Sequence, residues 1–315
     1  MAKSFFLQRN SFEKRAISVL LCGFIIINAN DLRFHQVFDH KYIFYLLLSV
    51  LVLIITSCSY DRKLAKQFVE SNPDISILVM PTDDIFKVNM KRDELGDDTT
   101  TMDEWQIDSA LMANSLFLKD ISDSIFLEAY YNSFFDELEK LNVKTYTEDY
   151  IDSFLFIRSS AFLLNIAQIE ADEYVKNFKD SEEFNDFVYT KTLPLNAVSI
   201  NTWFEITRLN NNKGSRRVFF AEDEISDNAY GYFSENLFTG QVSYKYFLRE
   251  MEIEDIYHKC EELGQKYAGY VFDYIMNSYI SRNFPPDRKR KYYMHYKRSI
   301  NSFEPAYDNR FILME

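Results

Sequence analysis

Residues 196–209 read NAVSINTWFEITRL, and the segments 210–214 and 217–225 that follow read NNNKG and RVFFAEDEI. From Val198 to Ile206, every second side chain is apolar or a threonine, which is typical of a strand with one buried face. The asparagine run that ends in Lys-Gly is a strong turn signal between two such strands. These residues therefore predict a β-hairpin, the antiparallel part of a sheet.

Parallel pairing and helices are predicted from the residues around this hairpin. Residues 74–81 (DISILVMP) are a short aliphatic run of the kind buried inside parallel or mixed sheets. Apolar residues recur at three- and four-residue intervals through 108–141, which predicts a long amphipathic helix with a break near 120–123. The other predicted elements are strands at 143–147 and 161–175, a short helix at 148–155 and a second long amphipathic helix at 252–281, stopped by Pro285-Pro286.

Three further segments complete the prediction of the fold. Residues 59–72 indicate a polar tether or a short helix, residues 91–104 a polar, acidic loop, and residues 230–247 an aromatic loop. The order of elements predicts an α/β domain over residues 74–281, with an α+β fold as the alternative. Its expected parts are a mixed sheet, the β-hairpin and the two long amphipathic helices.

The composition excludes several classes of protein. Apolar residues make up 47% of the 315 residues and aromatic residues 17%, which is too many for a disordered chain. Three cysteines cannot form a disulfide scaffold. A formal charge of −13 argues against a surface that binds nucleic acid. A folded protein with a sizeable core is expected.

An apolar segment near the N-terminus predicts where the protein resides. Residues 42–57 are uncharged and follow His40-Lys41. A helix of that length spans roughly 24 Å, short of the hydrocarbon core of a membrane. The segment therefore has the size of the hydrophobic region of a signal peptide. It ends in Ile55-Thr56-Ser57-Cys58, an aliphatic residue and two small residues before a cysteine, which resembles the lipobox of bacterial lipoproteins.

The lipobox resemblance implies a covalent modification. A diacylglycerol would be attached to the sulfur of Cys58. Cleavage would follow after Ser57, with Ile55, Thr56 and Ser57 as the signal-peptidase recognition sequence, and an acyl chain such as palmitate would be added to the new amino group. Two or three acyl chains give lasting membrane attachment. No other cofactor is implied. The alternative is a transmembrane helix, since the uncharged run continues to Tyr60 and is then about long enough to span.

The resemblance also divides the chain. Residues 1–57 would be a signal peptide and residues 58–73 a lipid-anchored tether. A second apolar run lies at 16–30, so either the chain has two hydrophobic segments or its true start is later, near Leu32 or Val37, with residues 1–36 not translated. Residues 1–57 carry six basic and three acidic side chains, so their removal changes the formal charge from −13 to −16.

Two further resemblances suggest a location and a relationship. The composition, rich in Tyr, Phe, Asn, Ile and Lys, resembles that of Bacteroidetes proteins. Ser59 follows the cysteine where an enterobacterial inner-membrane lipoprotein has Asp, which implies the periplasmic face of the outer membrane, with the inner membrane and the cell surface as alternatives. The element order of residues 74–281 resembles the α/β domain of the curli-secretion lipoproteins and the N-terminal domain of TolB.

The sequence predicts no catalytic residue and no metal site. His258, His295 and Cys260 are the histidines and cysteine that follow Cys58, and no CxxC, HxxxH or HExxH motif is present. His258 is expected on a helix surface, and Cys260 as a buried, inert thiol. The paired carboxylates, expected in solvated acidic loops, are Asp83-Asp84, Asp97-Asp98, Glu182-Glu183 and Glu222-Asp223-Glu224.

Two clusters are candidates for binding. The aromatic side chains of residues 230–247 either line a carbohydrate or peptide groove or pack as a covering loop. Residues 282–315 carry eight basic and four acidic side chains and predict a basic, aromatic C-terminal tail. Its basic run, Arg288, Lys289, Arg290 and Lys291, is expected to meet anionic lipid headgroups or the acidic surface of the protein itself.

These observations predict a lipid-anchored cell-envelope protein that faces the periplasm. It is expected to be a non-catalytic binding or assembly component, attached to the membrane by its lipid and in contact with another envelope protein. Two alternatives stay open. One is an envelope enzyme that uses acidic residues in an aromatic groove, and the other is a membrane protein with one or two N-terminal transmembrane helices.

Overall fold

The computed structural model describes residues 60–157, 160–209, 216–306 and 311–314, and for residues 97–101 the backbone alone. The predicted turn at 210–214 lies outside these ranges. The helices are α1 (Tyr60–Glu70), α2 (Glu104–Asn114), α3 (Asp123–Lys140), α4 (Ile151–Leu155) and α5 (Ile253–Asn283). The strands are β1 (Ile75–Met80), β2 (Phe86–Asn89), β3 (Val143–Tyr146), β4 (Ser160–Phe184), β5 (Phe187–Arg208), β6 (Arg216–Ser226), β7 (Asn228–Glu235), β8 (Val242–Arg249), β9 (Tyr293–Lys297), β10 (Ser302–Ala306) and β11 (Ile312–Met314).

The protein has an α/β fold built on a mixed sheet, as predicted. The strand order is β11-β6-β5-β4-β1-β3, and β2 pairs with β4 farther along that strand. Strand β1 runs parallel to both β3 and β4, and β2 runs parallel to β4, whereas the pairs β4–β5, β5–β6 and β6–β11 are antiparallel. Strand β4 is therefore the boundary between the parallel and the antiparallel parts of the sheet.

The hairpin predicted from residues 196–225 is confirmed as β5 and β6. Thr202 lies opposite Ala221, and Phe204 lies opposite Phe219. The apolar face predicted for the first strand is confirmed, because Val198, Ile200, Phe204 and Ile206 are buried in the main core. The alternation of apolar side chains was enough to predict this strand, because one of its faces is buried in the core.

Strands β4 and β5 extend well beyond the predicted segments. The prediction ended the earlier strand at Val175, but β4 continues to Phe184 and β5 begins at Phe187. Asn185 and Asp186, with φ of 49° and 65°, form the two-residue turn between them. Two left-handed residues match the twist of a tight hairpin, and Asn and Asp tolerate that conformation. The Asn-Asp pair between alternating residues was therefore a signal that the prediction missed.

The prediction of a loop at residues 230–247 is wrong. Strands β7 and β8 pair with each other, with Tyr230 opposite Phe247. Asn236 accepts backbone hydrogen bonds in the turn, and Gly240 has a φ of 67°. Cross-strand aromatic pairs stabilise antiparallel strands, so the aromatic density that suggested a packed loop is a strand signal.

Helices α1, α3 and α5 cover one face of the sheet, and α4 places Phe154 in a smaller cluster with Leu78 and Ala161 on the other face. The long helix predicted over 108–141 is split into α2 and α3, as expected from the predicted break. Residues 59–72 contain a helix, α1, whose Leu64 and Phe68 are buried in the main core. No helix within the described ranges is long and apolar enough to cross a membrane.

A buried ion pair holds the segment between α2 and α3. Glu173 projects from β4 and is fully buried, with Lys91 Nζ at 2.9 Å. Its carboxylate also accepts the backbone N–H groups of Leu116 at 2.8 Å and Phe117 at 3.0 Å. Burial alone raises the pKa of Glu173, but these hydrogen bonds hold it below its ordinary value. The carboxylate thus satisfies backbone donors that follow the end of α2.

Helices α3 and α5 approach each other closely at Gly264. A Cβ atom at this position would lie 2.2 Å from the carbonyl oxygen of Tyr130. As glycines inside a helix that packs on a sheet, Gly264 and Gly269 predict close packing of α5 on that sheet. Gly264 instead permits packing of one helix on another, and a Cβ at Gly269 would meet nothing within 4 Å.

Replacement of these two glycines tests the close approach. We expect Gly264→Ala to lower the free energy of unfolding by about 1–3 kcal/mol, because the new methyl group displaces α3. Gly269→Ala should leave it unchanged or raise it by up to about 1 kcal/mol through helix propensity. Chemical denaturation of the full chain in a neutral detergent measures both, and equal effects of the two substitutions would contradict this packing.

Candidate anion-binding site

The predicted lipidation site lies outside the described residues. This holds for Cys58 and for the recognition residues Ile55, Thr56 and Ser57. Lipidation therefore remains a prediction. The first described residue is Tyr60, where α1 begins.

The basic C-terminal segment is docked on α5. Strands β9 and β10 pair, and Met294 and Phe303 are buried in the main core. Asp273 of α5 accepts the backbone N–H of Tyr296 at 3.0 Å, and its other oxygen lies 2.6 Å from His295 Nδ1. Burying apolar side chains and satisfying a buried carboxylate fix this segment on the helix.

Arg290 links the docked C-terminal segment to both α5 and α1. Its guanidinium donates to the Ser281 hydroxyl at 2.6 Å and to the Asn277 carbonyl at 3.3 Å, and it also bonds the Asn277 side chain. Its Nε lies 3.5 Å from Oδ1 of Asp61, a buried residue of α1. Burial lowers the pKa of Arg290, and the charge of Asp61 opposes that shift. One of the four predicted basic-run residues thus meets the protein's own acidic side chain.

A cleft of about 330 Å³ opens beside this network, between the C-terminal half of α5 and the sheet. Four arginines line it: Arg208, Arg217, Arg282 and Arg290. The rings of Tyr274 and Tyr293 and the hydroxyl groups of α5 add polar and aromatic lining.

The strand register places two of these arginines on the face of the sheet that α5 packs against. Arg208 ends β5 and lies opposite Phe162, with its guanidinium carbon 5.9 Å from that ring. Arg217 of β6 lies opposite Ile206 of β5. It therefore projects from the same face of the sheet as Arg208. Arg282 comes from the last turn of α5 and donates Nε to the Ser278 carbonyl at 3.1 Å. Three separate elements thus converge on one cleft.

Arg290 is paired with Asp61, but the other three arginines of this cleft have no described acidic partner. Elsewhere in the described ranges many cations are paired; Arg298, for example, makes two 3.0 Å hydrogen bonds to Glu137. For Arg208, Arg217 and Arg282, no described carboxylate lies within ion-pair distance. Guanidinium groups bind carboxylates and phosphates through two parallel hydrogen bonds. In a chain with a formal charge of −13, this cleft is a local concentration of positive charge.

Sequence reasoning missed Arg208 and Arg217. Alternation in β5 places Arg208 on the same face as Ile206, which is the buried face. The available signal for a functional residue was Arg208 itself, an arginine at the end of a strand on its apolar face. The sequence does not show that α5 places Arg282 in the same cleft as Arg208.

The predicted acidic loops are only partly confirmed. Asp83-Asp84 is exposed in the connection between β1 and β2, and the side chains of Asp97-Asp98 are outside the described set. Glu222-Asp223-Glu224 instead lies within β6, where Asp223 pairs with Lys266 and lies 3.4 Å from Lys259 Nζ. Among the described residues, no group of three acidic, histidine or cysteine side chains is arranged to hold a metal ion.

The predictions for the histidine and cysteine of α5 are confirmed. The side chain of His258 is 76% exposed. Cys260 is fully buried in the core, and this burial raises the pKa of its thiol well above the ordinary value. A thiol that stays protonated and inaccessible is a packing residue.

The aromatic segment is half packed and half exposed. Phe233 is buried, and the Tyr244 hydroxyl donates to Asp180 of β4 at 3.0 Å. On the other face of the hairpin, Tyr230 and Phe247 are exposed, and at its turn Phe238 is 99% exposed. The hairpin therefore both packs on β4 and presents an apolar surface.

No protein-family model matches the chain, and a search of curated proteins gives no match.

The buried Asp172, on the face of the sheet away from the long helices, permits a test by pH. Burial and the nearby charge of Glu170 raise its pKa from 3.8 to about 6, although Asn201 donates a 2.7 Å hydrogen bond to it. Ionisation of Asp172 thus disfavours the folded state. This cost is absent below pH 3.8, grows as the pH rises, and is complete above about pH 6.

We expect Asp172→Asn to raise the free energy of unfolding at pH 7.5 by up to about 3 kcal/mol, since asparagine keeps the acceptor for Asn201 and removes the charge. At pH 4 the gain should fall below about 1 kcal/mol. Denaturation curves at both pH values provide the measurement, with the exposed Asp84→Asn as control. An equal effect at both pH values would contradict the raised pKa.

Proposed function

We propose that this protein is a lipid-anchored, periplasm-facing binding protein of the bacterial outer membrane that holds an anionic group in its arginine cleft. One observation carries the binding role: Arg208, Arg217 and Arg282 converge on a single cleft without a described carboxylate partner. Clustered, uncompensated positive charge raises the free energy of the empty site and favours an anion in it.

The chemistry of the lining supports binding rather than catalysis. Arginine stays charged at neutral pH and does not exchange a proton with a substrate there. Burial raises the pKa of the Tyr274 hydroxyl above its ordinary value, so that group also stays protonated. These side chains suit a charged ligand that is bound without being chemically converted.

The shape and lining of the cleft limit the ligand class. A volume of about 330 Å³ is near the lower end for small-molecule sites, so it suits one compact anionic group. Arginine forks favour phosphate or carboxylate oxygens, and the rings of Tyr274 and Tyr293 offer an apolar flank. The favoured ligand is a phosphate or carboxylate group attached to a larger molecule.

The lipid anchor is proposed from the motif Ile55-Thr56-Ser57-Cys58 and the uncharged run before it. A diacylglycerol and an N-acyl chain on Cys58 would tie the domain to the membrane through the two residues that precede α1. The relationship to the curli-secretion lipoproteins and to TolB belongs to the same proposal.

An envelope protein partner is also proposed. At the ends of the β4–β5 and β7–β8 hairpins, Phe187 and Val188 are each 69% exposed and Leu237 is 91% exposed. Large apolar side chains that are exposed together commonly mark sites of protein interaction.

Inorganic phosphate is the probe for the cleft. We expect the full chain, purified in a neutral detergent, to bind phosphate in a calorimetric titration. The double variant Arg208→Gln/Arg217→Gln should bind it at least tenfold more weakly, because it loses two charge-assisted contacts. Neither side chain makes an ion pair in the described structure, so the fold should be kept.

The matched control is Arg92→Gln, which removes an exposed arginine paired with Glu104 outside the cleft. It should bind phosphate as the unmodified chain does. Absence of binding by the unmodified chain, or equal loss in the control, would reject the arginine cleft as the site.

The anchor is tested separately by metabolic labelling with palmitate. We expect the chain to incorporate label and Cys58→Ala to lose it, because the thioether requires the Cys58 sulfur. Cys260→Ala, which removes the buried thiol, is the control and should keep the label. Retained label in Cys58→Ala would reject the lipoprotein and favour a transmembrane segment.

A further inference from the structure

We infer that the anionic group in the arginine cleft is the phosphate of an anionic phospholipid headgroup in the membrane that holds the anchor. This inference rests on the proposed function and specifies its ligand. It also sets the orientation of the domain, with the cleft turned towards the membrane surface.

Covalent geometry brings the proposed anchor close to the cleft. Cys58 precedes Tyr60 by two residues, and two Cα–Cα steps span at most about 7.6 Å. Asp61 Oδ1 is 3.5 Å from Nε of Arg290, and Arg290 lines the cleft. The guanidinium carbon of Arg288 lies 5.4 Å from the centre of the Tyr60 ring. A lipid on Cys58 would therefore be tethered two residues from the helix that contacts Arg288 and Arg290.

Basic side chains surround this point. Arg62 and Lys63 are exposed on α1, and Arg288, Lys289 and Lys291 are exposed beside Arg290. The acidic residues beside this cluster are Asp61, which pairs with Arg290, Asp287, and Glu304, which pairs with Lys297 and also feels the charge of Arg62. Each basic residue at an anionic membrane surface strengthens binding by roughly fivefold. The anchor and the basic residues are two membrane signals on one end of the domain.

The rest of the domain repels an anionic surface. Residues 58–281 carry a formal charge of −20 and residues 282–315 a charge of +4, counted from their charged side chains. Such a charge distribution favours one orientation, with the basic end against the headgroups. Tyr60, Tyr292 and Tyr293 lie at this end, and tyrosine favours the headgroup region of a membrane.

The orientation can be tested with one fluorescent label. Cys260 is buried with a raised thiol pKa, so a cysteine introduced at Lys289 becomes the reactive site among the described residues. The mature, lipidated chain with Lys289→Cys carries a polarity-sensitive dye and is reconstituted into vesicles; the proposed maturation removes Cys22 and converts the Cys58 thiol into a thioether. The vesicles contain phosphatidylcholine alone or with an increasing fraction of phosphatidylglycerol. The matched control site is Asp84→Cys, in the exposed connection after β1.

We expect the dye at position 289 to shift to shorter wavelength as phosphatidylglycerol is added, and the dye at position 84 to stay unchanged. Adding Arg208→Gln/Arg217→Gln should raise the phosphatidylglycerol fraction needed for half of the shift at least fivefold, because two positive charges leave the interface. Arg208→Lys/Arg217→Lys keeps these charges and should retain more of the response.

Three results would overturn the inference. These are an equal shift in phosphatidylcholine vesicles, a shift at position 84, and an unchanged response in the double glutamine variant. If any of them appears while the detergent-purified chain still binds inorganic phosphate through the cleft, a free anion is the ligand and the proposed function stands. Failure of phosphate binding as well would remove both.

Discussion

The buried carboxylate of Asp273 is the contact on which the functional end of this protein depends. It lies inside α5, takes a backbone N–H from Tyr296 and faces His295, so the C-terminal hairpin can dock in one register. Asn277, one turn later, bonds both the N–H and the carbonyl of Met294. A buried polar group must be satisfied, so this docking is specific as well as favourable.

That docking builds the cleft and links it to the N-terminus. With the hairpin in place, Arg290 reaches the end of α5 on one side and Asp61 of α1 on the other. The first and last described helices, α1 and α5, thereby both contact Arg290, which lines the cleft together with the arginines of β5 and β6. A ligand at this end would contact elements that are far apart in the chain, which is typical of a binding site made by the fold rather than by a motif.

The sheet has two different ends. At the cleft, strands and helices are packed around charged side chains, whereas β4 and β5 run on past the helices as a long hairpin with a tight Asn185-Asp186 turn. Strands β7 and β8 pack on that extension and expose apolar side chains at their turn. In the proposed orientation the basic end faces lipid, and the apolar hairpins are left to meet a protein. The basic residues thus lie at one end of the sheet, and the exposed apolar side chains lie at the hairpin turns of the other end.

Much of the fold followed from the sequence alone. Alternation identified β5 and β6, the apolar periodicity identified α3 and α5, and the lipobox pattern suggested the anchor at Cys58, because local patterns report which side chains are buried or processed. The extended β4–β5 arm and the β7–β8 hairpin escaped, since exposed strands carry a weak apolar pattern. The arginine cleft could not be predicted: Arg208, Arg217, Arg282 and Arg290 become neighbours only through strand register and helix packing. Convergence of distant charges is a property of tertiary structure, because the free energy of an unpaired charge depends on what lies beside it in space.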